Sequence, residues 1–230
     1  MRIYAIGDIH GRLDLLHLLH EKILEDAEDA EAALYLVYLG DYVDRGPDPE
    51  GVLATLCAGP LPGFVAVPLM GNHEEMMLSF LDGTTDGLNW VQFGGSSTLQ
   101  SYGVRLVPGG DPLERLEEAR LRLKETLPSE HEAFLRGLKL TVTVGDYLFV
   151  HAGLRPGLSL EAQSPRDLLW IREEFLEWSG DHGRTIVHGH TISPEPEIRS
   201  NRIGIDTGAY ATGRLTCLVL EGTEIRFLST

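Results

Sequence analysis

The chain has 230 residues, 43% of them apolar and 23% charged, with a formal net charge of −16 at pH 7. That balance suits one large domain with a substantial core and excludes a disordered or low-complexity chain. The acidic excess opposes non-specific binding to nucleic acid or an anionic membrane face, yet leaves a phosphate substrate open if bound cations set the local field.

Cys57 and Cys217 stand in apolar runs without a CxxC spacing, so both read as small core residues in a reducing compartment rather than a disulfide or zinc knuckle. The start "MRIYAIGDIHG" shows no secretory pattern, and no apolar run reaches membrane-spanning length. A cytoplasmic location is the expectation.

In chain order, "RIYAIG" reads as a short buried strand and "RLDLLHLLHEKILEDAEDA" as a helix. Leu16, Leu19 and Ile23 recur there at helical spacing, with Glu21, Glu25 and Asp26 facing water. "ALYLVYLG" is a second strand and "PEGVLATLCA" a second helix, with Pro49 in its first turn and "GPLPG" as its breaker. "FVAVPLMG" and "HEEMMLSFL" repeat the strand–helix order. Residues 82–137 change character: "DGTTDGLNWVQFGGSS" reads as a loop and "DPLERLEEARLRLKETL" as a charged helix. This segment is expected to be a cap or insertion within a single domain spanning 1–230.

The second half is richer in β-structure. "LKLTVTVGDYLFVHAG" reads as two strands turning at Gly145–Asp146, "RDLLWIREEFLEW" as a helix and "RTIVHGHT" as a strand, with a last hairpin turning at Glu221–Glu224. Together these elements predict an α/β (α+β) fold, a β-sandwich flanked by helices.

Five polar clusters follow apolar strands: "GDIHG" (7–11), "GDYVDRG" (40–46), "GNHEE" (71–75), "HAG" (151–153) and "HGHT" (188–191). Ligands of open α/β sheets bind at such strand ends. Carboxylate, amide oxygen and imidazole together suit divalent first-row ions, and the glycines let backbone approach an ion or phosphate. Each cluster alone has a plain reading: a turn for the first, a helix N-cap for Asn72, a strand-end histidine for His151. Five in succession are far harder to explain that way.

The set GDxHG, GDxVDRG, GNHE, HAG and GHT resembles the phosphoprotein phosphatase family of calcineurin-like metallophosphoesterases. "NWVQFGGSSTLQSYG" and "LLWIREEF" are similar to segments of its small bacterial and phage-type members. The resemblance implies two divalent ions, manganese favoured and iron or zinc also accepted. Asp8 and His10 would hold the first ion, Asp41 would bridge both, and Asn72, His151 and His190 would hold the second. It implies direct attack by a metal-bound hydroxide without a phosphoenzyme.

By the same resemblance, Asp44 orients His73, the acid that protonates the leaving oxygen, and Arg45 clamps the phosphate. Arg172 is the second clamp, with Arg155 and Arg166 as alternatives. His17, His20, His131 and His182 read as surface or structural, His188 as a supporting residue and Asp206 as structural. Thr191-Ile192 stand where the wider superfamily often places a further histidine, so the first metal would lack that ligand, an absence that this branch implies.

The leading expectation is a serine/threonine protein phosphatase acting on a phosphorylated protein or small phosphate ester. A diadenosine tetraphosphate hydrolase is the alternative, disfavoured because such enzymes commonly lack the acid found at Asp44. An inactive phosphate-binding module is a further alternative.

Overall fold

A computed structural model describes all 230 residues. β1 (Arg2–Ile6), β2 (Leu34–Tyr38) and β3 (Phe64–Pro68) alternate with α1 (Leu13–Ala27), α2 (Pro49–Cys57) and α3 (Asn72–Asp82). Short helices α4 (Leu88–Trp90) and α5 (Ser96–Ser101) then flank a π-type turn, followed by α6 (Pro112–Thr126) and α7 (Ser129–Gly137). Strands β4 (Thr141–Val144) and β5 (Tyr147–Val150) lead to α8 (Pro165–Trp170), α9 (Glu173–Leu176), β6 (Thr185–His188), β7 (Glu197–Ile198) and β8 (Arg202–Gly204). A final turn, α10 (Ala209–Thr212), precedes β9 (Thr216–Glu221) and β10 (Glu224–Ser229).

The strands form two sheets, ordered β10-β9-β1-β2-β3 and β4-β5-β6-β8-β7. Alternate residues of each strand point to opposite faces. Ile3 and Ala5 of β1 therefore join Val144, Phe149, Val187 and Ile203 in the layer between the sheets, while Tyr4 and Ile6 pack under the helices. On the outer face of the second sheet, Leu148, Val150 and Ile186 meet Leu168 and Phe175 of α8 and α9. The result is the expected β-sandwich flanked by helices, with four layers in all.

In each sheet three strands run parallel, β1-β2-β3 in the first and β5-β6-β8 in the second. The chain leaves all six at their C-terminal ends into the loops bearing Asp8, Asp41, Asn72, His151, His190 and Asp206.

Several local expectations change. Residues 88–97, within the stretch expected to be a loop, are largely helical, and α5 continues to Ser101. Gly94, with φ +115°, interrupts the turn, so no continuous helical period shows in the sequence. Trp90, Leu99, Leu116 and Leu123 of the 82–137 segment lie in the same core as α1 and α2. The helix expected over "RDLLWIREEFLEW" is two short helices, broken where Arg172 adopts φ −133°, ψ −97°. Cys217 is buried as expected, whereas Cys57 is only half-buried.

Asp26, expected to face water, accepts hydrogen bonds from Tyr4 Oη (2.6 Å) and Arg226 Nη2 (2.7 Å), with Arg2 close by. It ties α1 to β1 and β10. Arg226 holds its carboxyl below the ordinary range. The contribution is therefore complete above the ordinary carboxylate pKa and is lost as pH falls through the lowered one. Asp26→Asn is expected to lower the unfolding free energy at pH 7 by about 1–3 kcal/mol. An unchanged urea midpoint would show that the network carries nothing.

Candidate metal centre

Five non-glycine residues have positive φ: His10 (46°), Asp41 (54°), Asp44 (71°), Arg45 (67°) and His190 (63°). Left-handed backbone costs an L-residue about 1–2 kcal/mol, and such strain persists only where the surroundings impose it. All five belong to the strand-end clusters, so these loops are bent to aim side chains inward. One device doing the bending is Glu74, buried at the start of α3. Its carboxylate accepts the N–H groups of Asp41, Tyr42, Val43 and Gly71 at 2.7–3.1 Å. Burial, with Asp41 nearby, pushes the pKa of this group up to about 8 against those donors.

Asn72 Oδ1, His151 Nε2 and His190 Nδ1 lie 2.9, 2.9 and 3.1 Å from one another, with Asp41 Oδ1 3.4 Å from His151 Nε2. His151 donates its Nδ1–H to Leu39 O (2.9 Å), so in the neutral ring Nε2 is a bare lone pair. It faces oxygen acceptors, an arrangement that repels unless a cation stands among them. About 3 Å is also the spacing of two atoms bound at right angles, each about 2.1 Å from one first-row ion. The donor atoms thus fit a divalent ion.

His10 repeats the pattern on the other side of Asp41. Its Nδ1–H donates to Val43 O (2.9 Å), and its bare Nε2 faces Asp41 Oδ2 at 3.4 Å. A backbone acceptor behind the ring is how metal-binding imidazoles are commonly oriented. His10, Asp41 and His73 form one cluster of candidate donors and Asp41, His151 and His190 another, so Asp41 is common to both.

Asp8 lies outside both clusters, and both its oxygens accept from His190 N–H (3.2 and 3.1 Å). Burial, then repulsion from Asp206 and Asp41, raises the Asp8 pKa well above the ordinary range. The Asp206 pKa is itself pushed up to about 6, chiefly by burial. Three buried carboxylates that repel one another call for positive charge. A Cβ on Gly189 would lie 2.1 Å from Asp8 Oδ1, and one on Gly71 2.2 Å from Asp41 Oδ1, so both carboxylates need glycine beside them.

Behind the donors lies a second set. Asp44 Oδ2 is 2.6 Å from His73 Nδ1, and the carboxylate also accepts from Trp90 Nε1 (2.9 and 3.1 Å) and Thr98 Oγ1 (2.6 Å). Arg45 Nη2 donates to His73 Nε2 (3.1 Å), and its guanidinium lies 4.6 Å from the Tyr210 ring centroid. Arg172 donates to His190 O (3.1 Å) and Thr191 Oγ1 (3.0 Å), whereas Arg155 is held by Asp167 (2.6 and 3.0 Å). Of the arginines weighed from sequence, Arg172 is thus the one held at the His190 loop.

The remaining histidines separate. His20 and His131 are buried against Tyr38 (2.9 Å) and Tyr102 (2.7 Å), and His17 is exposed. His188 ends β6, donates to Gly189 O and does not join the donor clusters. Sequence reasoning missed Trp90, Thr98, Glu74 and Tyr210. Only Glu74 carried a local signal, an acid three residues into α3 that reaches back to Gly71 N–H.

With manganese at about a hundred times its dissociation constant, the folded protein is expected to gain about 2.7 kcal/mol of stability. Asp41→Asn should lose that gain together with bound metal. Metal analysis and melting with and without manganese check this; full metal binding by Asp41→Asn would contradict the place given to that residue.

The sequence profile of the calcineurin-like phosphoesterases matches residues 1–215. The chain is 29% identical to serine/threonine-protein phosphatase 2 of Escherichia coli strain K12, covering 93% of this chain and 90% of that protein. It is 32% identical to a symmetrical bis(5'-nucleosyl)-tetraphosphatase of Acidovorax sp. strain JS42, covering 100% of this chain and 67% of the relative. The cold-active protein-tyrosine phosphatase of a psychrophilic Shewanella species shares the fold, with a TM-score of 0.62 at 17% identity over 98% of this chain and 77% of that one. Crowded acids, bare imidazole nitrogens and family profile agree: the chain belongs to the calcineurin-like phosphoesterases and is a metal-dependent hydrolase of phosphate esters.

Proposed function

We propose that the chain is a serine/threonine protein phosphatase working with two divalent ions. Asp8, His10 and Asp41 hold one; Asp41, Asn72, His151 and His190 hold the other. Oxygen and imidazole donors without thiolate accept manganese, iron or zinc alike, and manganese is the ion we assign. When bound, the ions supply Lewis acidity toward the phosphate oxygens and a more acidic water.

The observation that carries the protein-phosphatase reading is the buried Asp44–His73 pair at 2.6 Å. A serine or threonine alkoxide is a strongly basic leaving group and needs a proton as the ester bond breaks; a nucleotide leaving through a phosphate oxygen needs far less help. Because guanidinium only donates, Arg45 at 3.1 Å marks His73 Nε2 as a lone pair and puts the ring proton on Nδ1, toward Asp44. A second proton, taken from solvent at Nε2 once Arg45 has turned away, makes the imidazolium; burial opposes it and the Asp44 carboxylate stabilises it from behind. Arg45 then turns its planar fork to the non-bridging phosphate oxygens, and Arg172 approaches them from the His190 side.

The tetraphosphatase relative supports a second reading, hydrolysis of a dinucleoside polyphosphate. Turnover of a phosphoserine peptide and of diadenosine tetraphosphate by the same manganese-loaded preparation separates the two. Preference for the peptide is expected, and preference for the dinucleotide would overturn the assignment.

His73→Asn is expected to keep its metal and to lose about 10²–10⁴ in kcat on alkyl phosphates. It should lose far less on p-nitrophenyl phosphate, whose leaving group needs no proton. Equal losses on both would contradict protonation by His73. Arg45→Ala is expected to lower kcat/KM at least tenfold, by the loss of roughly 1.5–3 kcal/mol of charge-assisted hydrogen bonding; an unchanged kcat/KM would remove it from the phosphate site.

A further inference from the structure

A groove of about 420 Å³ opens beside the candidate metal centre. Its walls include Glu75, Trp170, Phe93, Asp86 and Asn89. Three of its residues lie next to the proposed site. Glu75 follows His73 by two residues on α3; Phe93 O accepts from Arg45 Nε (3.4 Å); the Trp170 ring centroid is 6.3 Å from that of His190. That last span is about two residues of extended chain. A peptide carrying its phosphate to the ions therefore has a neighbouring side chain within reach of the groove.

Two features define what would enter. The rings of Trp170 and half-exposed Phe93 line the groove together with two carboxylates. Glu75 accepts from Trp170 Nε1 (2.6 Å) and Asp86 from Leu88 N (3.0 Å), so each has acceptor capacity left. No arginine, lysine or histidine pairs with either: half-buried Glu75 lacks the arginine partner that Asp26 and Asp167 have, and Asp86 is exposed to solvent. Uncompensated carboxylates beside aromatic rings attract a cation and repel a polyphosphate.

We propose that this groove is a specificity subsite for a lysine or arginine within two or three residues of the phosphorylated serine or threonine. Glu75 and Asp86 pair with its charge, and Trp170 and Phe93 pack against its stem. The inference rests on the protein-phosphatase reading and adds to it a class of substrate, phosphopeptides with a basic flank.

The test uses the manganese-loaded full chain and phosphoserine peptides in which a lysine, an alanine or a glutamate is moved through the three positions on either side. Each kcat/KM is divided by the same preparation's value on p-nitrophenyl phosphate, which carries no flanking residue. The best-placed lysine is expected to raise the ratio about tenfold over alanine, mostly through KM and less so at high salt. Glu75→Gln with Asp86→Asn should bring lysine and alanine to parity. Asp86→Lys should shift the preference toward the glutamate peptide, which a merely structural role for Asp86 would not do.

Equal ratios for lysine and alanine at every position in the wild-type protein would overturn the subsite and leave the phosphatase assignment standing. If no peptide were turned over while diadenosine tetraphosphate was, the assignment itself would fall and the subsite with it.

Discussion

Everything at the rim of this sandwich is organised by electrostatic conflict around Asp41. Its oxygens face bare imidazole nitrogens from His10 on one side and His151 on the other, while Asp8 and Asp206 add further buried charge nearby. Such a cluster is costly in a dry interior without a counter-charge. Positive-φ strain at His10, Asp41 and His190 adds to that cost. Both terms persist because the six parallel strand ends and the four N–H bonds to Glu74 leave the loops little alternative. A bound cation turns this conflict into stability, which makes metal affinity and the fold of the rim one quantity rather than two.

The second consequence concerns the helical segment after α3. Trp90 and Thr98 come from 82–137, yet their hydrogen bonds end on Asp44, the carboxylate behind His73. A carboxylate so held keeps its imidazole partner in a single orientation, as a proton donor in catalysis needs. The broken helix at Arg172 has a parallel role, because the break aims that guanidinium at the His190 loop. Irregular backbone in this molecule is concentrated where side chains must converge.

Much of this was legible in the sequence, for a physical reason. A buried parallel strand reads as a short apolar run, and the chain must leave it at the rim, so "GDIHG", "GDYVDRG" and "GNHEE" announce both their position and their chemistry. The sandwich followed from the same runs. Hidden were interactions whose partners lie far apart in the chain: Trp90 and Thr98 with Asp44, Arg45 over Tyr210, and Asp26 with Arg226. Local periodicity has no access to those. It also fails for 88–101, where Gly94 breaks the helical period that would have revealed the turns.

Electron paramagnetic resonance of the manganese-loaded protein addresses the central claim most directly. If Asp41 is shared by two ions, saturation should give the crowded multiline spectrum of an exchange-coupled pair. The simple hyperfine pattern of isolated ions at saturation would contradict a shared carboxylate, and with it the account built on Asp41.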